Sequence, residues 1–444
     1  MGIFLNIFNL YLYMFHVCQL SNTLEKYNPI SNILDTTWIE IYNTSDIHKN
    51  IINNAKIQQL PYIIICNNQL ILNNDKFEDN FIRLLCVLES SNDWDIFLSS
   101  PIVDTSITKN DITIVNPYPL ILKFNSTFNI EHNLINGFVI YNSSSYDKIL
   151  NNSVDDIKYI TCIDYLAIGD SKQLQSCLYL KNLCKIDYID VDLYGGLGNQ
   201  MFQLATAFAI AQKYHLPMTF TKINLIPCPV RNVNEYWDSF LSFFTLSISN
   251  VNTHKMIITE EKAYTYQIIN KLTNIPITLN GYWQNIQYFN HCRTDIKNLF
   301  RPSQDNLTYL YKKYDWLNNP NIIKVMLHIR RGDYNSSIHI PMTYYHKCLQ
   351  QISNTISYKT IAFSDDINYV KHNLPHLDHY IINESDYMEL IMMTHANYMI
   401  IANSTFSWWG AYLNKNDDAT IFIPKQWTGS GADNFTLPNW IQLE

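Results

Sequence analysis

The sequence predicts an α/β protein whose larger, C-terminal part is built from two facing Rossmann-like halves. Two observations carry this: a βαβ pattern between residues 189 and 221, and a longer series of strands alternating with helices from residue 322. A third places a ligand site at one edge of the second sheet, because three strands of that series end in small polar or charged residues.

In chain order, Ile189-Asp-Val-Asp-Leu-Tyr194 alternates apolar and polar residues as a strand does. Gly195-Gly-Leu-Gly-Asn-Gln200 supplies a turn. Residues 201–214 then carry the apolar spacing of a buried helix, which Pro217 stops before a short strand at 218–221. The second series reads as strands at 322–329, 360–363, 379–382, 398–402 and 419–423, with helices at 386–395 and 405–413. Residues 222–320 join the two halves. The first part of the chain mixes strands and helices in a smaller α/β domain. There, 61–66 reads as a buried strand, 77–88 as a helix and the sequon-rich stretch 141–153 as a loop. A boundary near Lys185 divides the chain into domains 1–185 and 186–444.

A chain of 444 residues exceeds one ordinary domain, and a hydrophobic fraction of 47% gives each domain a core. The net charge of -8 argues against a nucleic-acid partner, whereas a nucleotide sugar needs only one or two well-placed cations. The nine cysteines are scattered and lack CxxC spacing, so neither a zinc site nor a disulfide framework is predicted and a reducing compartment is the default. Residues 1–20 are apolar and aromatic but are interrupted by Asn6, Asn9, His16 and Gln19, with no Lys or Arg ahead of them. A core element and a membrane or signal segment both stay open there, and with them a cytoplasmic or membrane-associated location.

Within 322–329, period-two alternation puts Val325, Leu327 and Ile329 on one side and His328 with Arg330 on the other. Arg331, Gly332 and Asp333 follow where the strand ends, the position at which open α/β sheets bind ligands. Two adjacent guanidinium forks suit a diphosphate there. Taken alone, the same pair beside Asp333 is equally a salt-bridged loop. The next strand ends in Phe363-Ser-Asp-Asp366, whose carboxylates suit a base, a ribose or a cationic partner. Ser364 or Asp365 is equally placed to cap the following helix. Without a strand-flanked D-x-D, the Asp pair is not assigned as a metal site. The strand at 398–402 runs through Asn403-Ser-Thr-Phe-Ser-Trp-Trp409 into a helix, presenting free amides and hydroxyls that suit an anion. Trp408 and Trp409 read as core. Across the cleft, the glycine turn permits close backbone approach to a phosphate or sugar. The candidate binding residues are therefore Gly196, Gly198, Asn199 and Gln200 on one side. On the other are His328, Arg330, Arg331, Asp333, Asp365, Asn403, Ser404, Thr405 and Ser407.

Gly195-Gly-Leu-Gly-Asn-Gln-Met-Phe202, Gly281-Tyr-Trp-Gln284, His328-Ile-Arg-Arg-Gly-Asp-Tyr334, Phe363-Ser-Asp-Asp366 and Asn403-Ser-Thr-Phe-Ser-Trp-Trp-Gly-Ala-Tyr-Leu-Asn414 occur in this order. The set resembles the α-1,2-fucosyltransferases (glycosyltransferase family 11) over about residues 187–444. The resemblance implies a GT-B fold, GDP-fucose as donor substrate, inversion at the anomeric carbon, and no metal or other cofactor. It implies an acceptor glycan whose reacting group is the 2-hydroxyl of galactose, and it puts Arg330 on the donor pyrophosphate. No catalytic base follows from it. The alternatives are another sugar nucleotide on the same fold, or a non-catalytic glycan-binding scaffold. Leu60-Pro-Tyr-Ile-Ile-Ile65, Asn92-Asp-Trp-Asp-Ile-Phe97 and Gly137-Phe-Val-Ile-Tyr-Asn-Ser-Ser-Ser-Tyr-Asp147 are fainter. They resemble the family 25 (LPS-type) glycosyltransferases, of GT-A fold, over about residues 35–160. Cys66-Asn67-Asn68 stands where that family carries its acidic metal motif, which implies a degenerate module for acceptor binding or support.

Overall fold

The computed structural model describes residues 188–222, 256–270, 276–332, 334–352, 357–427 and 430–444, together with shorter stretches between 15 and 180. Their strands form three sheets and a two-stranded ribbon.

The first sheet contains β1 (Phe15–Leu20), β2 (Tyr62–Asn67), β3 (Ile96–Leu98), β4 (Ile112–Pro117), β5 (Leu120–Phe124), β6 (Phe138–Asn142) and β7 (Tyr159–Cys162). Its order is β1-β2-β6-β3-β7-β5-β4, and only the β1–β2 and β3–β7 pairs are parallel. Phe15–Leu20 is thus a sheet strand; the rest of the apolar N-terminal run lies outside the described residues. No helix among the described residues is long and apolar enough to cross a membrane. The loop expected at 141–153 is instead the end of β6, a 3-10 turn and the helix Tyr146–Leu150. Its Asn and Ser residues serve as caps: the Asn142 side chain accepts a bond from the Ser144 amide. Ser144 Oγ and Lys148 Nζ then both donate to the buried Asp95, each at 2.6 Å. Of the helix expected at 77–88, Leu84, Val87 and Leu88 are described, and they are helical and buried.

The second sheet holds β8 (Ile189–Leu193), β9 (Thr221–Lys222), β10 (Met256–Thr259) and β11 (Ile277–Asn280) in the order β10-β11-β8-β9, all parallel. Two of these strands come from the stretch read above as a connection. They are four residues long, and β10 is an exposed edge strand, so neither shows the alternation that marks a half-buried strand. The long helix Leu197–Tyr214 follows β8 and starts four residues before the helix read from sequence. Gly195, at φ 81, turns the chain, and Gly196 takes the extended N-cap conformation, so Leu197 to Gln200 already form the first helical turn.

The third sheet is fully parallel, in the order β14-β13-β12-β15-β16-β19. Its strands are β12 (Ile323–Ile329), β13 (Tyr358–Ser364), β14 (His379–Tyr380), β15 (Tyr398–Ile400), β16 (Thr420–Pro424) and β19 (Ile441–Leu443). β17 (Gln426–Trp427) and β18 (Ser430–Gly431) form the ribbon. Val325, Leu327 and Ile329 pack with Tyr344 and Tyr345 on one face, while Met326 joins the core on the other. The second and third sheets are the two Rossmann-like halves of a GT-B arrangement.

One helix pair ties those halves together. Phe202, on the long helix, lies 4.7 Å from the Trp408 ring and 5.1 Å from Trp409, both on the Thr405–Tyr412 helix of the other half. Trp409 Nε1 donates to the Gly198 carbonyl at 2.9 Å. The approach is so close that a Cβ on Gly198 would stand 2.6 Å from the Phe406 amide nitrogen. Gly198→Ala must push the helices apart and is expected to cost about 1–3 kcal/mol, read as a lowered urea midpoint. A midpoint equal to wild type would show that the helices do not depend on this contact.

Candidate functional site

Parallel register brings the polar strand ends of the third sheet together. Ile329 pairs with Ser364, so Arg330 emerges beside Asp365; Leu327 pairs with Ile400, so the run from Asn403 emerges on the other flank. Asp365 is the pivot of the group. Its Oδ2 lies 2.9 Å from Arg330 Nη1, and its Oδ1 accepts the Arg331 backbone amide at 2.9 Å. Gly332 packs closely beside it: a Cβ there would stand 2.4 Å from Asp365 Oδ2, so a larger residue would have to displace that carboxylate. Arg331 Cζ stands over the Tyr369 ring, 3.9 Å from its centroid, and Arg330 Cζ sits 5.1 Å from the centroid of Tyr334. Both guanidinium groups are therefore held in place while Arg330 keeps 20% of its side chain exposed.

The loop that follows is also tied down. His339 Nε2 lies within hydrogen-bonding distance of the Arg331 and Tyr334 carbonyls, at 3.1 and 3.0 Å. Tyr334 donates its hydroxyl to the Asn403 carbonyl at 3.3 Å, and Asn403 Nδ2 donates to the Ile338 carbonyl at 2.8 Å. Asp333 falls outside the described residues. The acidic pair at the end of β13 divides its work. Asp365 holds the arginines, whereas Asp366 caps the Ile367–Asn373 helix by accepting the Tyr369 amide at 3.0 Å.

His328 is buried beside the Phe406 ring, with centroids 5.4 Å apart. Burial, and then the charge of Arg330, hold its imidazole down to about 3, so it is neutral at physiological pH. Its Nδ1 and the Oδ1 of Asn403 are buried without a protein partner at the ends of neighbouring strands. Buried polar atoms are normally paired, so each of these atoms suits a polar group of a ligand. Ser404 occupies the N-cap of the Thr405–Tyr412 helix, yet its side chain makes no capping bond to the first-turn amides. Ser407 is buried and donates to the Ser404 carbonyl at 3.3 Å. Thr405 Oγ1 donates to Asn199 Oδ1 at 2.9 Å, and Gln284 Nε2 donates to the same oxygen at 2.8 Å. Gln200 Nε2 donates to the Gly195 carbonyl at 2.8 Å. Gly198 and Asn199 thus lie in the junction between the halves, Gln200 closes its own turn, and Gly196 has open space around its Cα.

Tyr334, Tyr369 and His339 complete the arginine turn and were not singled out from sequence. A Tyr two places before a charged helix face carries no signal by itself, since only the fold brings Tyr369 under Arg331. Among the described residues no group of three or more His, Cys, Asp and Glu side chains assembles in a metal-binding arrangement.

The model of glycosyl transferase family 11 matches residues 151–444. The O-antigen biosynthesis glycosyltransferase WbnK of Escherichia coli is 30% identical over 303 residues, 56% of this chain and 99% of that protein. An α-1,2-colitosyltransferase of Escherichia coli is 28% identical over 292 residues, covering 57% and 97%. Among solved structures, the fucosyltransferase NodZ from Bradyrhizobium aligns with a TM-score of 0.32 and 10% identity, over 50% of this chain and 92% of that one.

The neutral state of His328 sets a pH dependence. A histidine whose folded value lies below its unfolded one gives full stability above about pH 6.5, and that stability falls as pH drops toward the folded value. Relative to His328→Gln, the wild type is expected to lose about 2 kcal/mol more between pH 7 and pH 5, measured by urea unfolding. Parallel pH curves for the two proteins would place the imidazole in a solvated site.

Proposed function

The chain belongs to glycosyl transferase family 11, and on that footing we propose that it transfers L-fucose from GDP-fucose to the 2-hydroxyl of a galactose in an acceptor glycan. The reaction in this reading inverts the anomeric carbon and uses no metal. The observation that carries it is the Asp365-braced arginine turn beside the N-terminus of the Thr405–Tyr412 helix.

In fucosyl transfer the bond from C1 to the diphosphate breaks as the acceptor oxygen attacks, and negative charge grows on the departing GDP. Arg330 meets that charge with a guanidinium already oriented by Asp365, so little reorganisation is needed in the transition state. Arg331 and the first-turn amides of the Thr405–Tyr412 helix add to the same field. His328, being neutral, contributes hydrogen bonding without repelling the arginine. Asn403 offers its Oδ1 to a donor hydroxyl or amide. The acceptor proton leaves to a base or to solvent. The sheet of β1 to β7 serves this core as support, since Cys66 and Asn67 at the end of β2 bring no carboxylate.

A second donor is favoured by one finding: a relative is named as a colitosyltransferase, so a different sugar nucleotide is the competing reading. Incubation with GDP-fucose and β-galactosides in EDTA, followed by mass spectrometry, is expected to yield a product heavier by one fucosyl unit. An absolute requirement for a divalent metal would overturn the metal-free mechanism, and transfer from another sugar nucleotide alone would replace the donor. Arg330→Ala is expected to lower kcat/KM on the order of 100-fold or more, and near-wild-type activity would remove Arg330 from the chemistry.

A further inference from the structure

The carboxyl ends of the second sheet carry a group of residues that the donor site does not use. β10, β11 and β8 are neighbours and parallel, so Glu260, Gly281-Tyr282 and Tyr194-Gly195 emerge side by side. Glu260 continues the ladder, its amide donating to the Asn280 carbonyl at 2.9 Å. Its Oε2 accepts the Tyr282 amide at 2.9 Å. This contact needs a glycine before Tyr282: Gly281 takes φ 155, and a Cβ there would stand 2.4 Å from the Glu260 Cβ. The Tyr282 ring then leans on Tyr194, with centroids 4.9 Å apart at a tilt of 57°, and 38% of the residue faces solvent.

The group is continuous with the junction of the two halves. A Cβ on Gly195 would meet Tyr282 Cε1 at 3.2 Å and Asn199 Nδ2 at 2.9 Å, and Asn199 in turn accepts from Thr405. Tyr282 is thus linked through Gly195 and Asn199 to the helix N-terminus that borders the arginine turn. Burial, then the nearby Tyr282, Glu260 and Asp192, push the Tyr194 hydroxyl up to about 12, so it stays a hydrogen-bond donor. Burial likewise raises Glu260, against the backbone amides that lower it.

A half-exposed aromatic face with a fixed carboxylate and a phenol at its edge matches a pyranose ring. Such a ring has one face of C–H groups that packs on an aromatic surface and a rim of hydroxyls that need acceptors and donors. We propose that Tyr282, Tyr194 and Glu260 form the subsite for the acceptor sugar, with Tyr282 stacking on its C–H face and Glu260 accepting one of its hydroxyls. This rests on the glycosyltransferase reading above and adds the residues that hold its second substrate.

The test separates the two claims. Steady-state kinetics with a β-galactoside acceptor are compared for wild type, Tyr282→Ala, Tyr282→Phe and Glu260→Gln, alongside GDP titration by calorimetry. Transfer by the wild type decides the functional reading alone; the subsite is decided by the variants. Tyr282→Ala is expected to raise the acceptor KM roughly 10-fold or more, with the Kd for GDP within about 2-fold of wild type. Tyr282→Phe, which keeps the ring, is expected to retain the wild-type acceptor KM. Glu260→Gln is expected to lower kcat/KM for the acceptor while GDP binding stays as in wild type. An acceptor KM unchanged in Tyr282→Ala, or a loss of GDP affinity matching the loss for acceptor, would overturn the assignment.

Discussion

The contact of Gly198 with the backbone of Thr405 and Phe406 governs the geometry of the whole C-terminal part. It lets the first turn of one long buried helix lie directly on the first turn of another, so the carboxyl ends of two separate parallel sheets meet at one place. Without that approach, each sheet would end in polar residues facing water alone. The aromatic layer behind it supplies the adhesion: Phe202, Phe289, Trp408, Trp409 and Tyr412 are buried and pack tilted, edge to face or stacked. Trp408 and Trp409 use their indole N–H groups on the Phe435 and Gly198 carbonyls, so this apolar layer leaves neither indole unsatisfied.

Asp365 does the corresponding work for charge. Two adjacent arginines at a strand end repel each other and are free to swing. One carboxylate that takes a guanidinium of the first and the amide of the second sets both the side chain and the turn. Tyr369 and Tyr334 then pack against the two guanidinium groups. The buried neutral imidazole of His328 adds packing without adding positive charge. The result is a preorganised cationic edge in a protein whose overall charge is negative.

Much of the C-terminal fold was legible because its cues are local. The alternation through Val325, Leu327 and Ile329 reports a strand face directly, and the switch from β8 through glycines to a helix is written in consecutive residues. Where the cue is non-local, the sequence is silent. Asp333, adjacent in sequence, is the obvious partner for the arginines, but Asp365, 34 residues beyond Arg331, holds the turn through parallel pairing of β12 with β13. β10 escaped notice because a short exposed edge strand need not alternate, and β11 because three consecutive buried residues in a four-residue strand show no alternation. Glu260 was invisible for the same reason: a lone acidic residue acquires meaning only when β11 lays Tyr282 against it.

In the proposed reaction the role of the arginine turn is to bind the donor diphosphate through its fixed geometry and not through net charge alone. Calorimetric titration of GDP into wild type and Asp365→Ala, in EDTA, separates these directly. Removing the carboxylate makes the edge more positive but lets the arginines move. GDP is expected to bind at least about 10-fold more weakly to Asp365→Ala. Equal or tighter binding would contradict it.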